Sequence, residues 1–400
     1  MNDSHNNTAV GYNSLSAVTT GDGNVAIGKD AGKTLTTASN NVILGTGALD
    51  DATTLADGNV AIGLNAMGGS IVAQDVNDCV AIGSGALAGA LDSAGTDEAS
   101  RSVAIGASAL AANITGNGNT AVGYQAGASI TVGDMNTVLG YQALSLEVGG
   151  GNSVAIGVKA LYTQDGGDTD SAMDNIGIGR NAGYYNVTGT NNTSVGTYAG
   201  QGVSTKSHSG CVFIGKNAGL TAYTGDNNIA IGYGAMDDVD ADATVGASAE
   251  NTFIGKDSGG GTWVTAASSH NVAVGNGTLD AAMNGASKNV AMGYAALSEI
   301  TTGDNNTGIG GNAGMLISTG GSNIAVGYQA CATGTNDLET GIKNTVIGAD
   351  TSSGNEGAEN RTVIGYGVTG SGDNTVTLGN DDVTIVRMSS DSGATVECGK

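Results

Sequence analysis

The sequence predicts an all-β chain, a parallel β-solenoid of about 21 short coils on a 17-residue basic repeat. Three observations predict it: a glycine that returns at that period, a β-branched residue three places before it, and an asparagine four places before it. The glycine ends an AIG-like triplet at Gly11, Gly28, Gly45 and onward to Gly348, Gly365 and Gly379. Of the 20 intervals between these 21 glycines, ten are 17 residues and nine are longer, from 18 to 23. A copy this short cannot bury its own apolar face, so it gains stability only by stacking on its neighbours.

Counting from that glycine, position −3 is Thr, Val or Ile in all 21 copies, as at Val25, Thr120, Ile229 and Thr307. Position −1 is aliphatic or Met, as at Ile27, Leu44, Ile156 and Met292. β-Branched residues suit a strand and disfavour a helix. Alternation along a strand puts −3 and −1 on one face. That face is expected to be the buried one, which makes Ile156 a core residue.

Position −4 is Asn in 15 copies, among them Asn24, Asn41, Asn59, Asn119, Asn136, Asn228, Asn306 and Asn323. One asparagine per coil can hydrogen-bond to the coils above and below it, so a ladder is expected. Position +3 is usually Ala and +4 is Leu, Met or Gly, as in Ala48-Leu49, Ala126-Gly127 and Ala235-Met236. The alanine lets the chain turn inside a tight coil, and the leucine fills the core beside it. A polar turn such as GDGN at 21–24, GNGN at 116–119 or GDNN at 225–228 then leads into the next copy. Such sequences favour tight turns with positive φ. One copy therefore reads as strand, small-residue corner, short second strand and turn. At about 4.7–4.9 Å per strand, 21 coils make a rod about 100 Å long.

Composition agrees with a periodic use of glycine. The 400 residues include 70 Gly, no Pro and 12% charged side chains, which departs from average globular usage and from collagen's Pro-rich G-X-Y period. The 40% of apolar residues, spread evenly, argues against disorder. A net charge of −24 repels phosphate backbones and anionic bilayers, so neither nucleic acid nor membrane insertion is expected. The N-terminal MNDSHNNTAVGY lacks a basic stretch followed by an apolar core, and no apolar run approaches the ~18 residues of a membrane span. Neither a secretory signal nor an anchor is expected. The repetitive shaft covers 1–379, and 380–400, with its VTIVRM stretch, is expected to be a cap or a lead-in strand.

The longer intervals insert residues on the same side of the coil, and the largest precede Gly106, Gly179 and Gly255. They hold the acidic clusters Asp92, Asp97 and Glu98; Asp165, Asp168, Asp170 and Asp174; and Asp237, Asp238, Asp240 and Asp242. The single Trp, Trp263, lies in another insertion. Insertions in repeat arrays map to one face, often the binding face. The candidate contact residues are therefore Asp165, Asp168, Tyr162, Asp238, Asp240 and Trp263, carried on exposed loops.

Catalytic chemistry finds little support in the sequence. Gly23 to Lys29 has the spacing of a phosphate loop, but Asp30 follows where Ser or Thr is needed, and Gly-Lys pairs recur in phase with the repeat. GIGRNAG at 177–183 is likewise a repeat without a βαβ context. His5, His208 and His270 have no partner at triad or zinc spacing and are expected on exposed loops. Cys79 and Cys211 occupy the asparagine slot and Cys331 the leucine slot, so each reads as a small buried residue; Cys398 lies outside the repeat. The GDxN turns and acidic insertions could hold Ca²⁺, although the nonapeptide of calcium β-rolls is missing, and structural turns are the favoured reading. No other cofactor is expected. Seven tyrosines follow the repeat glycine (Tyr12, Tyr124, Tyr141, Tyr233, Tyr294, Tyr328, Tyr366) and form either a carbohydrate-stacking stripe or an amphipathic surface ladder. A polysaccharide-degrading solenoid would need paired carboxylates in a groove, and the acids here gather in loops, so no enzyme is expected.

The core N-T/V-A-I-G-Y-Q-A-G/L, clearest in NTAVGYQAG at 119–127, NTVLGYQAL at 136–144 and NIAVGYQAC at 323–331, resembles the repeats of bacteriophage tail-fibre proteins. It is also similar to the head repeats of trimeric autotransporter adhesins, which are shorter and come with a signal peptide and anchor. DNTVTLGNDDVTIVRM at 373–388 resembles the segment that precedes an endosialidase-type intramolecular chaperone in many tail fibres. The resemblance covers nearly the whole chain. It implies a parallel homotrimeric fibre of the virion, joined to other fibre or tail proteins and contacting a host cell-surface glycan or protein. The alternative is a bacterial cell-surface adhesin or extracellular matrix filament.

Overall fold

The computed structural model describes residues 4–52, 56–71, 76–90, 100–204, 206–221, 225–238, 248–263, 266–334 and 337–386. Among them there is no helix. Twenty-one three-residue strands, one ending just before each repeat glycine, stack into a parallel β-solenoid. The chain divides into two compact units, residues 1–243 with 247–250 and residues 251–400 with 244–246.

In the first unit, 13 strands run from Thr8–Val10 to Ile229–Ile231, and each pairs in parallel with the next in sequence. The register is that of the repeat: Val25, Ala26 and Ile27 stand opposite Val42, Ile43 and Leu44. The eight strands of the second unit, from Thr252–Ile254 to Val376–Leu378, follow the same rule. Equivalent residues therefore lie one above another, which is the geometry a side-chain ladder needs.

The expected second strand is mostly absent. Among the described residues it forms only where Gly150–Gly151 pairs with Ser171–Ala172, and elsewhere it shrinks to single bridges such as Ala52 with Ile71. The rest of the coil turns too sharply. In most coils four residues have positive φ, illustrated by Asn40 at −5 (61°), Gly28 at 0 (143°), Asp30 at +2 (57°) and Leu49 at +4 (45°). At the repeat glycine this conformation and the space both exclude a side chain: a Cβ on Gly28 would lie 2.5 Å from the Gly45 carbonyl oxygen of the next coil. At +4 the chain tolerates leucine in a left-handed conformation that costs about 1 kcal/mol, because Leu49, Leu87 and Leu110 are then wholly buried.

The core is thin and filled by complementation. In three coils where +4 is glycine, the residue three further on is a large aliphatic: Leu35 follows Gly32, Ile130 follows Gly127 and Ile317 follows Gly314. A Cβ at Gly32 would meet Leu15 Cδ2 and Ile43 Cδ1 at 2.9 Å, so the missing side chain is the space those neighbours occupy. Phe213 is accommodated in the same way between Gly200 and Gly219.

Candidate functional site

The strands expose the face expected to be buried. In every coil between the first and the last, position −2 is buried, whether Ala26, Ile43, Ala155, Phe213 or Phe253, while −3 and −1 face outward. The assignment of Ile156 to the core is thus corrected: its neighbour Ala155 is fully buried and Ile156 is only half-buried. A coil this thin admits one inward side chain per three-residue strand, most often alanine, and where it is Phe213 or Phe253 neighbouring glycines leave the room. The larger β-branched pair lies outside, leaving Ile27 42% exposed and Leu139 and Met292 each 47% exposed. Each unit thus carries a continuous outward stripe of Val, Ile, Leu and Thr. The tyrosines two residues beyond are exposed as well, with Tyr124 and Tyr141 stacked at 5.4 Å.

The asparagines form a ladder inside the coils. Asn41 donates its backbone N–H and its Nδ2 to Asn24 Oδ1, both at 3.0 Å, and Asn59 donates its N–H to Asn41 Oδ1 at 2.9 Å. Asn24 Nδ2 also donates to the Ala38 carbonyl at 2.8 Å, so the buried amide has partners on both sides. The arrangement repeats at Asn119 and Asn136 and again at Asn306 and Asn323. Cysteine substitutes within it: Cys211 donates its N–H to Asn192 Oδ1 at 2.9 Å, and its Sγ accepts the Asn228 N–H at 3.4 Å. Burial pushes the Cys79 thiol up to about 11 and that of Cys211 to about 12, which suits inert packing and not redox chemistry. Cys331 is also buried. At Arg361 the ladder passes to a guanidinium, whose Nε and Nη2 donate to Asp373 Oδ1 at 3.0 and 2.7 Å and whose Nη1 donates to the Ser353 carbonyl at 2.8 Å.

A second ladder escaped the sequence reading. At position −6 the backbone N–H of one coil donates to the side chain of the next: Ser39 to Asp57 Oδ1 at 2.6 Å, Asn117 to Asp134 Oδ1 at 2.6 Å, Ser209 to Asp226 Oδ1 at 2.8 Å and Ser287 to Asp304 Oδ1 at 2.7 Å. It explains the aspartates of the GDxN turns as acceptors for otherwise orphaned amides. Its signal was the recurrence of Asp, Ser or Asn two places before the asparagine, as at Asp22, Ser39, Asp57, Asn77 and Ser100.

The contact candidates are scattered. Tyr162 is half-buried and stacks on Tyr184 at 5.0 Å, with Lys159 Nζ 5.0 Å from its ring centroid. Asp165 is half-buried and Asp168 exposed, both on the insertion before Gly179. Asp238 is half-buried, while Asp240 and Asp242, like Asp92, Asp97 and Glu98, lie outside the described residues. Trp263 is a correction. It is fully buried with its ring edge-on to Phe253 at 5.5 Å, because the large indole fills core space in its coil, so it cannot be a surface contact. His208 is another: it is 1% exposed and packs edge-on against Phe213 at 5.2 Å, with neither ring nitrogen hydrogen-bonded. Burial lowers its pKa to about 4. His5 and His270 are exposed. Residues 380–386, the described part of the expected cap, contain no strand.

The insertion before Gly179 is held by a buried carboxylate that sequence reasoning also missed. Glu147 Oε1 accepts the N–H of Gly150 at 2.5 Å and of Gly166 at 2.8 Å, and Oε2 accepts from Gln164 Nε2 at 2.8 Å. Gln164 also donates to Ser153 Oγ and accepts from Asn175 Nδ2. Among the described residues no group of three or more His, Cys, Asp or Glu could hold a metal ion, and no helix is long and apolar enough to cross a membrane. No protein-family model matches the chain, and no curated protein matches it, so the functional reading rests on its own geometry.

Proposed function

We propose that the chain is a structural and adhesive fibre segment, of the phage tail-fibre or spike kind, that assembles side by side with two further copies and meets its receptor through inserted loops. The observation that carries this reading is the outward stripe at −3 and −1. It supplies exposed or half-buried Val, Ile, Leu and Met in one coil after another, and contiguous apolar surface of this kind marks an interaction face. A parallel copy presents the same period and satisfies the stripe along its whole length, which an unrelated globular partner cannot do. The repeat residues are spent on two hydrogen-bond ladders and the core, which leaves the insertions free for recognition. A structural role also accords with a −24 charge that keeps such a fibre soluble.

Light scattering tests the assembly: a particle of three times the 38.8 kDa chain mass is expected, and a monomer overturns it. Shortening the insertions before Gly106, Gly179, Gly255 and Gly275 to the basic repeat should abolish adsorption to cells while the fibre stays assembled. Unchanged adsorption would make the chain a passive shaft.

A further inference from the structure

We propose that the insertion before Gly179 builds a binding notch for a neutral saccharide, an inference that rests on the attachment reading above. The loop leaves its coil after Asp165 and returns at Ser171, and with residues 187–190 of the next coil it bounds a notch of about 420 Å³. That volume suits one sugar residue.

The walls are of two kinds. Met173 and Val187 supply apolar surface. The Asp165 carboxylate and the hydroxyls of Thr188 and Thr190 supply the polar wall. A pyranose is two-sided in the same sense: its C–H face packs on apolar surface, while its hydroxyls both donate and accept. Asp165 is the only charged group among the lining residues described, and the chain carries −24, so phosphorylated, sialylated or uronic sugars are repelled.

The notch is preformed. The Asp165 N–H donates to the Val187 carbonyl at 2.8 Å, Asp165 Oδ1 accepts the Gly167 N–H at 2.9 Å, and Glu147 fixes Gly166 from below. A loop already ordered loses little freedom on binding.

The test is saturation-transfer NMR on the full chain with the methyl glycosides of glucose, galactose, mannose and N-acetylglucosamine. Transfer to at least one is expected, weakened by about tenfold or more in affinity by Asp165→Asn and by Thr188→Val, and unaffected by Asp51→Asn at an exposed acid on a distant coil. Thermal melting checks that each variant remains folded. No transfer to any of the four, or transfer that survives both substitutions, overturns the site. Loss of saccharide binding with cell adsorption intact sinks this site alone. Saccharide binding without any cell adsorption sinks the attachment reading and leaves the site standing.

Discussion

Asn41 hands two hydrogen bonds, from its backbone N–H and its Nδ2, to the single oxygen Asn24 Oδ1, both at 3.0 Å. This paired contact joins one coil to the next inside the solenoid, where no water can substitute for either partner. Asn306 occupies the same place: it donates to Asn289 Oδ1 and to the Gly320 carbonyl, and it accepts from the N–H and Nδ2 of Asn323. Asn306→Leu keeps the volume but leaves the Asn323 N–H and the Gly320 carbonyl unpaired, at about 1–3 kcal/mol each. Asn306→Ser should cost less, because serine can still accept; Ser102 Oγ accepts the Asn119 N–H at 3.3 Å. Chemical denaturation should rank Leu well below Ser, and equal losses would contradict the ladder's energetic role.

How much of this was legible in the sequence depends on periodicity. The repeat glycine, the asparagine ladder and the buried corner at Ala48-Leu49 follow from residue types that recur at fixed positions. The inward position −2 was misread because Ala26 and Ala61 look like spacers beside the larger Val and Ile. Hydrophobicity alone points to the big residues, whereas the single inward slot of each strand most often holds alanine. Glu147 was missed and Trp263 was placed on the surface for the opposite reason. Neither recurs at its repeat position, so no period announces it, and an acid or an indole near an insertion suggests surface when the fold has buried it.

Glu147 gives the second prediction. Its oxygens hold the amides of Gly150 and Gly166 and the side chain of Gln164, so Glu147→Ala should release the loop that Gly166 begins. Hydrogen exchange is expected to rise at Gly150 and Gly166 while the asparagine ladder far from it, at Asn24 and Asn41, stays protected. Glu147→Gln, which retains one acceptor oxygen, should fall between. Unchanged exchange at Gly166 in the alanine variant would mean that the loop is held by other contacts.

Acid should weaken the coil around His208. Its pKa in the fold is lowered to about 4 from the ordinary 6.5, mainly by burial, with Asp226 opposing. Above pH 6.5 both folded and unfolded chains hold it neutral, so no penalty exists. As pH falls from 6.5 toward 4 the unfolded chain takes up a proton that the folded one refuses, and stability drops by on the order of 3 kcal/mol. His208→Leu should remove this component, since neither ring nitrogen has a hydrogen-bond partner to lose. Denaturation from pH 7.5 to 4.5 in both proteins reads the difference, and parallel pH profiles would refute it.

The last prediction separates folding from assembly at two adjacent residues. Ala155 is fully buried and faces the core, whereas Ile156 faces outward on the stripe. Ala155→Asp buries an unpaired charge in a core with no room for it, and should cost at least about 3 kcal/mol and unfold the neighbouring coils. Ile156→Asp places its charge at the surface of a single chain, where solvent screens it, so one isolated copy should fold almost normally. Between copies the same charge would be buried against a neighbour's stripe, and association should fall by about tenfold or more. Light scattering over a dilution series, paired with thermal melting below the dissociation point, distinguishes the two variants. If Ile156→Asp melted as early as Ala155→Asp in the dissociated state, the outward assignment of position −1 would be wrong. If it melted normally but associated like the parent chain, the stripe would not be the assembly face.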